Sequence, residues 1–168
     1  PQFQLKLFEE IETYGKDLNL KFYGSRALMS LRLEKNWGAW TLDFRPDFTA
    51  AESGLDIFIN WNKDFIGKES SLIEKKQGVK KKLVTMIIDT KDIDVTNDEA
   101  ILKDNKCIGY ITSGGYAHHV KKSMALGYVP EKFSKHETAL NVEINGKLYS
   151  AHVTDRPLYD ANGEKMRA

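Results

Sequence analysis

The chain has 168 residues, 41% hydrophobic and 29% charged, a balance that lets one domain or two small ones bury a core. A formal net charge of +1 supplies no global field toward nucleic acid or an anionic membrane, and no apolar run is long enough to span a bilayer. One cysteine, Cys107, has no partner for an internal disulfide, which fits a reducing compartment, and it and the four histidines lack the paired spacing of a zinc site.

The chain opens Pro1-Gln2-Phe3-Gln4, without an initiator Met or a signal segment, and reads as a piece of something longer. Phe3, Leu7, Phe8, Ile11 and Tyr14 have helical spacing, with Gly15 placed for a left-handed cap. Leu18 to Tyr23 alternates like a strand. Ser25 to Lys35 reads as a second helix with Ser25 as its N-cap. Residues 37–49, with Gly38 and Pro46, read as a loop, and Leu55 to Trp61 as a short buried strand. A charged helix over residues 68–76 is stopped by Gly78.

From about Lys80 the pattern changes to short strands: 83–88, 100–103, 107–112, 124–129, 140–144 and 148–153. Asp104-Asn105 marks a turn, and Asn145-Gly146 supplies the two positive-φ residues of a tight hairpin. The expected fold class is α+β, the second part being a small antiparallel barrel or sandwich, with a boundary near residues 77–80.

No catalytic constellation stands out. His118-His119 resembles a metal pair, but adjacent strand residues face opposite sides, so the pair reads as surface or loop histidines. Ser113-Gly114-Gly115-Tyr116 is read as a strand-end turn rather than an anion cradle. Lysines 75, 76, 80, 81 and 82 form a patch suited to a polyanion, although the near-neutral total favours a solvated face. Trp37, Trp40, Phe44 and Phe48 crowd one loop, where they either stack a flat heterocycle or pack across a junction. Arg32 and Glu34 offer planar donors and a carboxylate to a ligand with an amide-like edge and acidic tail, or else form an ion pair.

The stretch Gly24-Ser25-Arg26-Ala27-Leu28-Met29-Ser30-Leu31-Arg32-Leu33-Glu34-Lys35 resembles the G-x-R-A-x-x-S-L-R-x-E-K element of sarcosine and dimethylglycine dehydrogenases. It is similar, less closely, to the A-R-D-S-L-R-L-E-A-G element of the glycine-cleavage T-protein, or aminomethyltransferase, family. Glu52-Ser53-Gly54-Leu55, Asp64-Phe65-Ile66-Gly67-Lys68-Glu69, Ile111-Thr112-Ser113-Gly114 and the run from Lys122 to Pro130 follow in that family's order. Arg156-Pro157-Leu158-Tyr159-Asp160 and Glu164 to Ala168 resemble the dehydrogenase tail.

The resemblance implies that residues 1–78 end a folate-binding α/β domain and residues 79–168 form the carboxyl-terminal β-barrel domain. It implies one-carbon transfer from a methylated amine to tetrahydrofolate, in the cytoplasm or, in a eukaryote, the mitochondrial matrix. No nucleic-acid or membrane partner is implied. Arg32, Glu34 and Trp40 are the expected folate-site residues, with no catalytic residue in this stretch. The family's chemically active acidic residue belongs to an amino-terminal part, as does the FAD domain of the dehydrogenases, and no G-x-G-x-x-G occurs here. The resemblance therefore implies that this stretch alone is inactive and works with missing amino-terminal domains. The alternatives are a non-catalytic folate-binding or interaction module and a folate-dependent demethylase of another methylated substrate.

Two departures concern single residues. The T-protein's ligand-binding arginine lies two residues before the Ser of S-L-R-L-E, where this chain has Leu28. Arg26, two positions earlier, falls on a different helical face. The T-protein's tyrosine near its carboxyl end corresponds to a position near Gly163, with Tyr159 only a neighbour.

Overall fold

The computed structural model describes residues 2–167. Three helices, α1 (Gln4–Gly15), α2 (Ser25–Glu34) and α3 (Lys68–Gln77), precede six strands. The strands are β1 (Lys81–Ile88), β2 (Ala100–Lys103), β3 (Lys106–Ala117), β4 (Lys122–Pro130), β5 (Ala139–Ile144) and β6 (Lys147–Thr154). All pair antiparallel and close into a barrel in the order β1-β4-β3-β2-β5-β6. Closure gives every strand a neighbour on each side. The fold class is α+β, with a barrel rather than a sandwich.

The barrel interior is filled by side chains including Met86, Ile101, Ile111, Ala125, Val129 and Val142. In β4, residues 123–129 are all buried, which a strand with one wet face would not show. Ala125 and Val129 belong to the interior. Met124 and Leu126, on the alternate face, pack with Leu33 of α2. The outer face of β4 is thus covered by the helical half of the chain.

The hairpin turns follow their chemistry: Asp104 and Asn105 have φ of 51° and 58°, and Asn145 and Gly146 have 48° and 76°. Gly78 ends α3 with φ of 84°.

Five local expectations are corrected. Gly15 is right-handed and lies under Leu20, and the left-handed residue is Asn19. Residues 18–23 form no strand, because no strand lies beside them to complete a ladder. Gly24 is the N-cap of α2, and Ser25 is already helical. Residues 55–61 contain a short 3-10 turn, Asp56–Phe58, with Ile57 and Phe58 exposed. Ser113 to Tyr116 continues β3 rather than ending it, since each residue pairs with β4.

Candidate functional site

Residues 37–55 leave α2, fold into a loop rich in aromatic side chains and lie against β3 and β4. A cavity of about 560 Å³ opens in this loop, with Trp40, Phe44 and Phe48 as aromatic walls and Arg45, Thr49 and Ser53 as polar groups. Trp40 is 79% exposed, whereas Phe44 and Phe48 are half-buried. Trp37 turns the other way, edge-on to both Phe44 and Phe58 with centroids 6.3 Å apart.

The loop is held by Asp43, which is fully buried at 0% exposure. Its Oδ2 accepts from Arg32 Nη1 at 2.8 Å and from the Ala39 amide at 2.6 Å. Its Oδ1 accepts from Ser113 Oγ at 2.7 Å and from Thr112 Oγ1. Thr112 and Ser113 are consecutive in β3 and would ordinarily face opposite sides. The register between β3 and β4 shifts between Ile111 and Ser113, a β-bulge with Thr112 as the added residue. The bulge brings both hydroxyls onto one carboxylate oxygen.

Tyr128 provides a second anchor. Its hydroxyl donates to the Asp43 carbonyl at 3.0 Å and shares a 2.7 Å hydrogen bond with Ser53 Oγ. Its ring stacks on Phe48, with centroids 3.4 Å apart and planes 10° from parallel. Burial pushes the phenol up to about 12, with a smaller opposing effect from the Ser53 hydrogen bond. Arg45 bridges the cavity edge to the barrel, donating from Nη2 to the Tyr110 hydroxyl at 2.5 Å.

Arg32 is buried, and beyond Asp43 its Nη1 also donates to the Trp37 carbonyl at 3.2 Å. Nε and Nη2 are buried without hydrogen-bond partners among the described residues. Burial lowers the Arg32 pKa, and the Asp43 charge opposes that shift. Glu34 is also buried and faces the β3–β4 turn, where its Oε1 accepts from the His119 amide at 2.8 Å. Its carbonyl accepts from the Tyr159 amide at 3.1 Å, which ties the carboxyl-terminal tail to α2. The structure thus brings Arg32 and Trp40 to the same loop, while Glu34, in the same last turn of α2, faces away from it toward the β3–β4 turn.

His118 and His119 lie in the turn after β3, and His119 packs edge-on to Tyr159 at 4.5 Å. Among the described residues no group of three His, Cys, Asp or Glu is placed to hold a metal ion. The five lysines of the basic patch are exposed, with Lys75 over the Trp61 ring at 4.5 Å and Lys81 over Phe48 at 5.9 Å. Asp43 escapes sequence reasoning because one aspartate in a loop gives no sign of burial. The adjacent hydroxyls of Thr112 and Ser113 inside an apolar strand were the available signal.

The family model of the glycine cleavage T-protein C-terminal barrel domain matches residues 81–160, and that of the GCVT N-terminal domain matches residues 1–63. The chain belongs to the glycine cleavage T-protein family. It is 37% identical over 154 residues to a mitochondrial dimethylglycine dehydrogenase of Mus musculus, covering 90% of this chain and 18% of that protein. It is 33% identical over 160 residues to an aminomethyltransferase of Caldanaerobacter subterraneus subsp. tengcongensis, covering 95% of this chain and 42% of the relative. The crystal structure of glycine cleavage system aminomethyltransferase T from Bartonella henselae superimposes with a TM-score of 0.81 at 24% identity, over 91% of this chain and 44% of that one, a likeness of fold. The chain therefore spans less than half the length of these relatives. No helix among the described residues is long and apolar enough to cross a membrane.

Proposed function

We propose that this chain is the carboxyl-terminal part of a tetrahydrofolate-dependent aminomethyltransferase-like protein of the sarcosine and dimethylglycine dehydrogenase type. In this reading residues 1–78 end the folate-binding domain, and residues 79–168 are the barrel domain that braces it. Together they supply one wall of the folate cavity, for one-carbon transfer from a methylated amine in the intact protein.

The observation that carries the reading is the cavity of about 560 Å³ with Trp40, Phe44 and Phe48 on its walls. Its size lies within the range of small-molecule sites, and its makeup of flat apolar walls with a few polar groups suits a bicyclic heterocycle. Bound tetrahydrofolate would supply the nitrogen that accepts the one-carbon unit. The chain's own contribution is orientation: Trp40 offers a face for stacking, and Arg45, Thr49 and Ser53 offer polar contacts at the edge. Arg32 acts from behind the wall by fixing Asp43, and Glu34 by fixing α2 against the β3–β4 turn.

Titration of the full-length protein with 5-formyltetrahydrofolate, followed by tryptophan fluorescence and calorimetry, tests this. Trp40→Ala is expected to weaken affinity about tenfold, the loss of one aromatic stacking contact. Unchanged affinity in Trp40→Ala would remove Trp40 from the cavity and defeat the reading.

A further inference from the structure

Resting on that reading, we infer that Asp43 is a positioning residue through which the barrel sets the geometry of the aromatic wall. Asp43 gathers donors from three places: Arg32 of α2, the Ala39 amide of the loop, and Thr112 and Ser113 of β3. Its carbonyl takes the Tyr128 hydroxyl of β4. The cavity residues Trp40, Phe44 and Phe48 lie within five positions of it on either side.

Two features set this cluster apart from an ordinary stabilising contact. A buried ion pair is seldom more stabilising than apolar side chains of the same volume, because desolvation offsets the attraction. Arg32, moreover, engages the loop through Nη1 alone, on Asp43 and the Trp37 carbonyl, rather than through the stronger two-pronged fork that a guanidinium can offer a carboxylate. What it provides is direction. A carboxylate with four donors has one low-energy orientation, and the β-bulge in β3 aims two of those donors at it. An apolar contact would let the loop slide; this one fixes its register on the barrel.

The test separates positioning from stability. In the full-length protein, Thr112→Val with Ser113→Ala removes the barrel donors without altering a cavity residue. Affinity for 5-formyltetrahydrofolate is expected to fall about tenfold, the value of one to two hydrogen bonds, well below the melting temperature. A second variant, Arg32→Met with Asp43→Leu, replaces the pair by apolar volume. It is expected to melt close to the parent yet bind folate about tenfold more weakly. If its affinity returns to the parental value along with its stability, Asp43 is merely structural and the inference is overturned. Unchanged affinity in the Thr112/Ser113 variant overturns it as well. If the parent binds no folate, the functional reading fails on its own. The near-ultraviolet circular dichroism of the Trp37–Phe48 loop then decides the positioning role: the inference stands if the Thr112/Ser113 variant changes that spectrum and falls if it does not.

Discussion

At the scale of single residues, the Tyr128 phenol gives a readout of how the loop is seated. Its ordinary value is 10.0, and burial pushes it up to about 12. The folded protein keeps this proton over a range in which the unfolded chain releases it. The contribution to stability is therefore complete below pH 10 and lost as pH rises through about 12. In a phenolate absorbance titration of the chain's seven tyrosines, one is expected to ionise late, and Tyr128→Phe should remove that late phase. A late phase that survives the substitution belongs to another tyrosine. The same variant should lose about 1 kcal/mol of stability at neutral pH, since the Asp43 carbonyl and Ser53 lose their shared partner. Arg32 and Trp40 were legible in the sequence as members of a motif and of an aromatic cluster. The anchoring roles of Asp43 and of Tyr128, itself a member of the matched run from Lys122 to Pro130, were not, because burial and partnership arise only when the loop meets the barrel, 69 to 85 residues away along the chain.

Among the elements, turn chemistry and close packing make distinct demands on glycine. Gly146 has φ of 76°, and a Cβ there meets nothing within 4 Å, so Gly146→Ala costs only left-handed strain, about 1 kcal/mol. At Gly109 in β3 a Cβ would lie 2.0 Å from the Tyr128 carbonyl oxygen, a clash with backbone that no rotamer relieves. Gly109→Ala should cost about 3 kcal/mol and, by displacing β4, disturb Tyr128 as well. Urea unfolding of the two variants checks the order; equal losses would contradict the close approach of β3 and β4 at Gly109. The barrel strands were legible because their alternation is reinforced by turns that demand positive φ. Residues 18–23 and 55–61 carry strand-like apolar patterns but have no partner strand, and pattern alone does not supply one.

At the scale of the whole molecule, the two halves of the chain are held by unlike forces. The barrel is closed, each strand having a neighbour on either side around an apolar interior. By contrast, α1 and its N-cap Phe3 leave the apolar stripe of Phe3, Leu7, Phe8, Ile11 and Tyr14 exposed, and among the described residues its only aromatic packing is Phe8 on Phe22 at 4.9 Å. A 12-residue helix without tertiary cover is marginal in water, since its own hydrogen bonds barely offset the ordering of the backbone. Local opening of α1 is therefore expected to cost far less free energy than opening of β4, whose residues 123–129 are buried on both faces. Hydrogen exchange on the isolated chain at low concentration checks this. Amides of α1 should exchange orders of magnitude faster than those of β4, with the β3 and β4 amides around Thr112 and Tyr128 among the slowest. Equal protection of α1 and β4 would mean that the apolar stripe is covered in solution. Protection of α1 that grows with protein concentration would identify the cover as a second copy of the chain. The slow amides should also reach into the loop at Asp43 and Phe44, whose N–H groups donate to the Ala39 carbonyl at 2.9 and 3.3 Å. Slow exchange there would show that the aromatic wall opens with the barrel, and fast exchange that it opens on its own.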